Sequence, residues 1–218
     1  MPEPTTSLDQ LSHALERALI SLDRLGARKI LIESKHPSGS LEKIEQIVVP
    51  ALERIGTGWE QGTIALSQVY MSGRICEELV DEILPTSDPQ RKNQPPMAIV
   101  TLEDYHSLGK RIVYSALRAA GYDLRNYGHG VLPNDLVTRA LNDKIHVLLI
   151  STLMLNAALH VKQVTHQLAA ARRGTKVIVG GAPFLFDPQL WREVGADAMG
   201  RTAPEAIKTV RDVLGGVA

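Results

Sequence analysis

Apolar residues in this chain follow two different rhythms, and the change comes near residue 85. Before it, Leu8, Leu11, Leu15, Leu19 and Leu22 recur every three or four positions, the spacing of one face of a helix. Ser7 stands just before that run as an N-cap. A second helix is predicted over Ala27–Ser34. A third is predicted over Ser40–Ile55, capped by Ser40 and kinked at Pro50, because proline removes an amide and crowds the preceding turn. Gly56-Thr57-Gly58 is expected to end it before a fourth helix over Ala65–Ile83. No alternating strand pattern competes, so residues 1–84 are predicted to form a small helical bundle.

Residues 85–96 are polar and carry four prolines: Pro85, Pro89, Pro95 and Pro96. They read as an extended linker. After them, short apolar runs alternate with helical ones. Strands are predicted at Met97–Leu102, Tyr122–Asn126, His146–Ser151, Lys176–Val179 and Asp197–Met199. Helices are predicted at Lys110–Ala120, Pro133–Leu141, Asn156–Arg173 (stopped by Gly174) and Pro204–Leu214. Such alternation implies an α/β domain over residues 97–218, with a parallel sheet covered on both faces. The pattern does not fix the strand order.

Composition narrows the function. The 24 basic and 24 acidic residues cancel, and no long run of either sign suggests nucleic acid or a charged partner. No apolar stretch approaches the length of a membrane span. The start, Met-Pro-Glu-Pro-Thr-Thr-Ser, lacks the basic and apolar regions of a signal peptide. The single Cys76 forms no internal disulfide and reads as a small core residue. A reducing cytoplasm is the compartment expected.

Asp104-Tyr105-His106-Ser107-Leu108-Gly109 concentrates the chemistry. It lies on the loop after the first strand, at the edge where open α/β sheets place their ligands. A carboxylate two residues from an imidazole can accept one ring N–H and leave the other nitrogen free for a metal. Gly109 would let backbone pass close to a large ligand. A solvated loop histidine is the plain alternative. Two further signatures follow at later strand ends: Ser151-Thr152-Leu153, and Gly180-Gly181, which by itself is also a common tight turn.

In this order, the three signatures resemble the cobalamin-binding domain family, which includes methionine synthase, corrinoid proteins of methyltransferase systems and cobalamin-dependent mutases. The resemblance runs from about Met97 to Gly216, and Gly195–Gly200 with Ala203–Ile207 looks like the family's last strand and helix. It implies a flavodoxin-like five-stranded parallel sheet of order 2-1-3-4-5. It implies base-off, His-on cobalamin, with His106 as the lower axial ligand of cobalt and Asp104 on the opposite ring nitrogen. Tyr105, Ser107 and Gly109 belong to the same loop. Ser151 and Leu153 match residues beside the nucleotide tail, and Gly180 and Gly181 match glycines that let backbone approach it. One departure stands out. Where well-studied members extend the His–Asp relay with a serine, this chain has Ala157, and the polar position two residues before it is Leu155. The relay is therefore expected to stop at Asp104 or pass to water.

Corrinoid proteins of this kind often cap the upper face with a helical bundle. Gly58-Trp59-Glu60-Gln61-Gly62 and Ile64–Met71 resemble that bundle's third-to-fourth helix segment, which makes Trp59, Val69 and Tyr70 candidates for the upper face. Packing at a helix corner is the alternative for Trp59. The Glu-His pair of light-sensing relatives is absent, with Val69-Tyr70 in its place. His129 is expected on a solvated loop. His13, His36, His160 and His166 have no ligand partners at useful spacing. The function implied is a non-catalytic corrinoid subunit that carries a methyl group on cobalt between partner methyltransferases. The rival is a cobalamin-based sensor or antirepressor acting through protein contacts; a mutase subunit fits the helical bundle less well. The resemblance leaves open the methyl donor, the acceptor, the upper ligand and the oligomeric state.

Overall fold

The structure is a computed structural model that describes residues 7–33, 39–84, 93–172 and 174–215. Most of the expected linker (residues 85–92), together with His36 and Arg173, lies outside the described residues. The chain divides into two compact units: residues 1–93 with 115–122, and residues 94–114 with 123–218.

The first unit is helical. Helix α1, Leu8–Ile20, begins at Ser7, whose hydroxyl accepts from the Gln10 amide while the Gln10 side chain accepts from the Ser7 amide; this reciprocal cap satisfies two orphan donors. Leu11, Leu15 and Leu19 are buried along its inner face, as the spacing required. Helix α2, Arg24–Arg28, runs into a wider π-helical turn over Lys29–Glu33. Helix α3, Ser40–Lys43, passes through a second such turn, Ile44–Val48, into α4, Val49–Glu60.

Pro50 therefore does not kink one long helix. It sits in the first turn of α4, where its missing N–H is tolerated, and the preceding bond is the wide one from Val49 N–H to Ile44 O. The Gly56-Thr57-Gly58 break is also corrected. Helix α4 continues through it, and Ile64 Cδ1 lies where a Cβ on Gly58 would stand, 2.6 Å away. The stop comes at Gly62, at φ +74°. Helix α5, Leu66–Ile83, follows, and residues 115–122, the end of a helix that begins in the second unit, group with this one. Cys76 is fully buried on α5, and that burial pushes its thiol up to about 12, as befits a core residue.

The second unit is a five-stranded parallel sheet of order β2-β1-β3-β4-β5. The strands are β1 Met97–Thr101, β2 Arg125–Asn126, β3 Val147–Ser151, β4 Lys176–Gly180 and β5 Ala198–Met199. Strands β1, β3 and β4 are continuous apolar runs because helices cover both faces. The intervening helices are α6 Leu108–Ala119, α7 Pro133–Asn142 and α8 Leu155–Ala170. Two short helices, α9 Ala182–Phe186 and α10 Leu190–Glu193, were not expected from the pattern. Helix α11, Ala203–Gly215, follows β5. Pro96, at the end of the expected linker, is already tied to the sheet: its carbonyl accepts from His146 N at 2.7 Å. Strand register puts Thr101, Ser151 and Gly180 side by side, so the loops after β1, β3 and β4 leave from one edge.

Candidate functional site

At that edge β1 ends in a sharp turn. Glu103 takes φ +47°, which redirects the chain so that successive side chains face different ways. Asp104 is 3% exposed, whereas the His106 side chain is 65% exposed. Asp104 Oδ1 accepts from the His106 amide at 2.9 Å and lies 2.7 Å from His106 Nδ1. Its Oδ2 accepts from the amides of Leu153 at 2.9 Å and Met154 at 3.1 Å, on the loop after β3. Burial alone would raise the carboxyl pKa. The amide and ring of His106 and the amides of Leu153 and Met154 outweigh it and bring it down to about 2.

The tautomer follows from this. An ionised carboxylate only accepts hydrogen bonds, so Nδ1 must carry the proton, and in the neutral ring the lone pair resides on Nε2. Asp104 thus aims an exposed imidazole and makes it a better donor through its far nitrogen. The relay beyond Asp104 ends on backbone amides. Ala157 is buried, and Leu155 is exposed on the outer face of α8.

Ser107 directly precedes α6, and its carbonyl accepts from Arg111 N. A Cβ on Gly109 would meet nothing within 4 Å; the fold itself does not demand glycine there, which leaves room for a ligand. Tyr105 is exposed and meets His129 edge to face, with ring centroids 5.4 Å apart. His129 is exposed on its loop, as expected, and its ring also meets the site loop. Lys110 is buried, donates to Asn126 Oδ1 and Gly128 O, and is held below the usual lysine range by burial and the nearby Arg111. Leu153 is exposed, and Ser151 is half-buried at the end of β3. Gly180 and Gly181 have reasons internal to the fold. A Cβ on Gly180 would lie 2.9 Å from Gly200 O, and one on Gly181 (φ +118°) would lie 1.8 Å from Thr152 O. Trp59 and Tyr70 belong to the helical unit, Trp59 exposed in the last turn of α4 and Tyr70 half-buried on α5, beside the buried Val69.

Three features escaped the sequence: the Leu153 and Met154 amides on Asp104, a hydrogen bond between Glu103 and His160, and the buried hydroxyls of Thr101 and Thr152, which have no partner among the described residues. No periodicity signals a backbone amide or a pair 57 residues apart.

Among the described residues, no three His, Cys, Asp or Glu side chains gather to hold a bare metal ion. A lone imidazole with one free nitrogen suits a metal whose remaining positions its own macrocycle fills. Residues 96–211 match the family model described as a B12 binding domain, and residues 11–84 match a second model of that description. The chain belongs to the B12-binding family. Its corrinoid relatives include trimethylamine corrinoid protein 1 of Methanosarcina mazei, 31% identical over 181 residues, covering 80% of this chain and 82% of that one. Dimethylamine corrinoid protein 1 of the same organism is 27% identical over 218 residues, 97% of this chain and 99% of that one. Among solved structures, the monomethylamine corrinoid protein of Methanosarcina barkeri matches at TM-score 0.57 and 26% identity, covering 95% of this chain and all of that one. A cobalamin-binding protein from Desulfitobacterium hafniense shares the fold at TM-score 0.77 and 18% identity, over 92% and 97% of the two chains. The residues fit a corrinoid: one free imidazole nitrogen, open space at Gly109 and two unpartnered hydroxyls at the strand ends. No helix among the described residues is long and apolar enough to cross a membrane.

Proposed function

We propose that this corrinoid protein carries a methyl group between two partner methyltransferases, on cobalamin bound base-off with His106 as lower axial ligand. The observation that carries the reading is the fixed tautomer of His106, with Nδ1 on a buried, ionised Asp104 and Nε2 free. The relatives' names, trimethylamine and dimethylamine corrinoid protein, support methylamines as the source of the methyl group. When bound, the corrinoid supplies the cobalt that accepts the methyl group and gives it up.

The chain's own residues do the rest. Asp104 holds the Nδ1 proton and keeps the imidazole pointed outward. Tyr105, Ser107 and Gly109 shape the loop around the ligand. Ser151, Leu153, Gly180 and Gly181 border the slot for the nucleotide tail. The helical domain, residues 1–84, supplies Trp59 and Tyr70 to the upper face. Residues 85–96 link it to the cobalamin domain, residues 97–218.

The test is electron paramagnetic resonance of the loaded protein in its Co(II) form, with 15N-labelled histidine. A protein nitrogen on cobalt is expected in the native chain and absent in His106→Ala. A native spectrum without protein nitrogen would remove the axial assignment. A transfer assay with methyltransferases encoded nearby tests the shuttle itself, and Trp59→Ala should change transfer rate more than cofactor retention. No transfer with any cognate enzyme, together with a light-driven change of assembly state, would favour a sensor.

A further inference from the structure

Glu103 occupies a backbone region that a side chain makes unfavourable, at φ +47°. Its amide donates to Val131 O at 3.0 Å, and Gly130 N donates to Asp104 O at 2.8 Å, so the corner is clamped by backbone. Neither bond needs a side chain at residue 103, and glycine would hold the same turn at lower cost. The glutamate reaches instead to His160 Nδ1 on α8. Nδ1 can donate to that carboxylate whether the ring is neutral or charged. Helix α8 starts at Leu155, immediately after the two amides that hold Asp104 Oδ2. The Asp104 carboxylate therefore depends on two segments staying together, the corner at residues 103–106 and the start of α8. The Glu103–His160 pair is a second side-chain tie between them, beside the Asp104 carboxylate itself.

We infer that Glu103 and His160 are positioning residues that lock the start of α8 to the β1 corner and thereby fix the aim of His106. The inference rests on the reading of His106 as the lower ligand. Among the described residues His160 makes no hydrogen bond to that ring or to Asp104, and it acts only through where it holds the loop. A left-handed glutamate tied to a helix one strand away is then a functional feature: the strain at residue 103 is accepted because only a side chain can reach α8.

The test uses the full chain with His160→Ala, whose side chain is 44% exposed in the native protein, so folding should survive its loss. In cofactor-free protein, hydrogen exchange at the Leu153 and Met154 amides should quicken about tenfold, with little change elsewhere in the sheet. In loaded protein the Co(II)/Co(I) potential should rise, by about 59 mV for each tenfold loss of Co(II) ligation by the imidazole. His160→Asn, which carries an amide nitrogen near the place of Nδ1, should restore both readings. On a Glu103→Gly background, His160→Ala should add nothing. Unchanged exchange and potential in His160→Ala, or no rescue by asparagine, would overturn the strut. A native spectrum lacking protein nitrogen would instead overturn the ligand reading, while exchange at Leu153 and Met154 still decides the tie.

Discussion

The two units use buried hydrogen bonds for opposite purposes. In the helical unit they fasten one helical segment to another. Buried Ser12 on α1 donates to the Ile47 carbonyl in the wide turn before α4 at 2.9 Å; Arg54, also paired with Glu16, then donates to the Ser12 oxygen. That network binds helix to helix and presents no group to a ligand. In the α/β unit, four donors converge on buried Asp104, and the outcome is an exposed ring held in one direction. The same kind of bond joins two helical segments in one place and aims an imidazole in the other. Loss of the first should cost stability alone, and loss of the second should alter chemistry as well.

The largest effect is expected where the site edge allows no side chain at all. Gly181→Ala forces a Cβ against Thr152 O at a backbone angle that alanine resists, so destabilisation of at least about 3 kcal/mol is expected. Chemical denaturation should show it, and a near-native midpoint would mean that the loops after β3 and β4 are looser than their contacts imply.

Asp104→Asn comes next and separates aim from stability. The native carboxyl is depressed to about 2 from an unfolded value near 3.8. Its contribution is therefore fully present above about pH 4 and is lost as pH falls through the folded value. The shift corresponds to about 2 kcal/mol at neutral pH. The stability gap between Asp104→Asn and the native chain should narrow from about pH 4 downward. In loaded protein the same variant should raise the Co(II)/Co(I) potential. A gap that does not change with pH would show that the carboxylate's charge is not what the four donors hold.

Ser12→Ala should cost about 1 kcal/mol through loss of its buried hydrogen bond to the Ile47 carbonyl and leave the potential unmoved. A shifted potential would show that the two units are not separable in this way. The smallest effect belongs to Cys76. With its thiol raised to about 12 by burial, it should resist alkylation at neutral pH until the helical unit opens, with no change in cofactor binding when mutated to alanine. Rapid labelling of native protein would contradict the packing around α5.

The apolar rhythm of the chain indicated the longer helices, the main parallel strands and the loop on which Asp104 and His106 lie, because burying one face forces period and composition on the residues that form it; the two short helices after β4 and the wide turns left no such period. The motif at residues 104–109 also identified the acid and its histidine, since they are near neighbours along the chain. Other features were decided only by tertiary structure. Helix α4 continues through Gly56 and Gly58 to Glu60, past the expected stop. The end of the relay on Leu153 and Met154 depends on β1 and β3 lying side by side. Glu103 meets His160 only because α8 returns to the end of β1. Backbone amides carry no residue signature, and a contact between distant positions leaves no local pattern. The sequence therefore specified which groups the site has, while the sheet decided what holds them and which way they point.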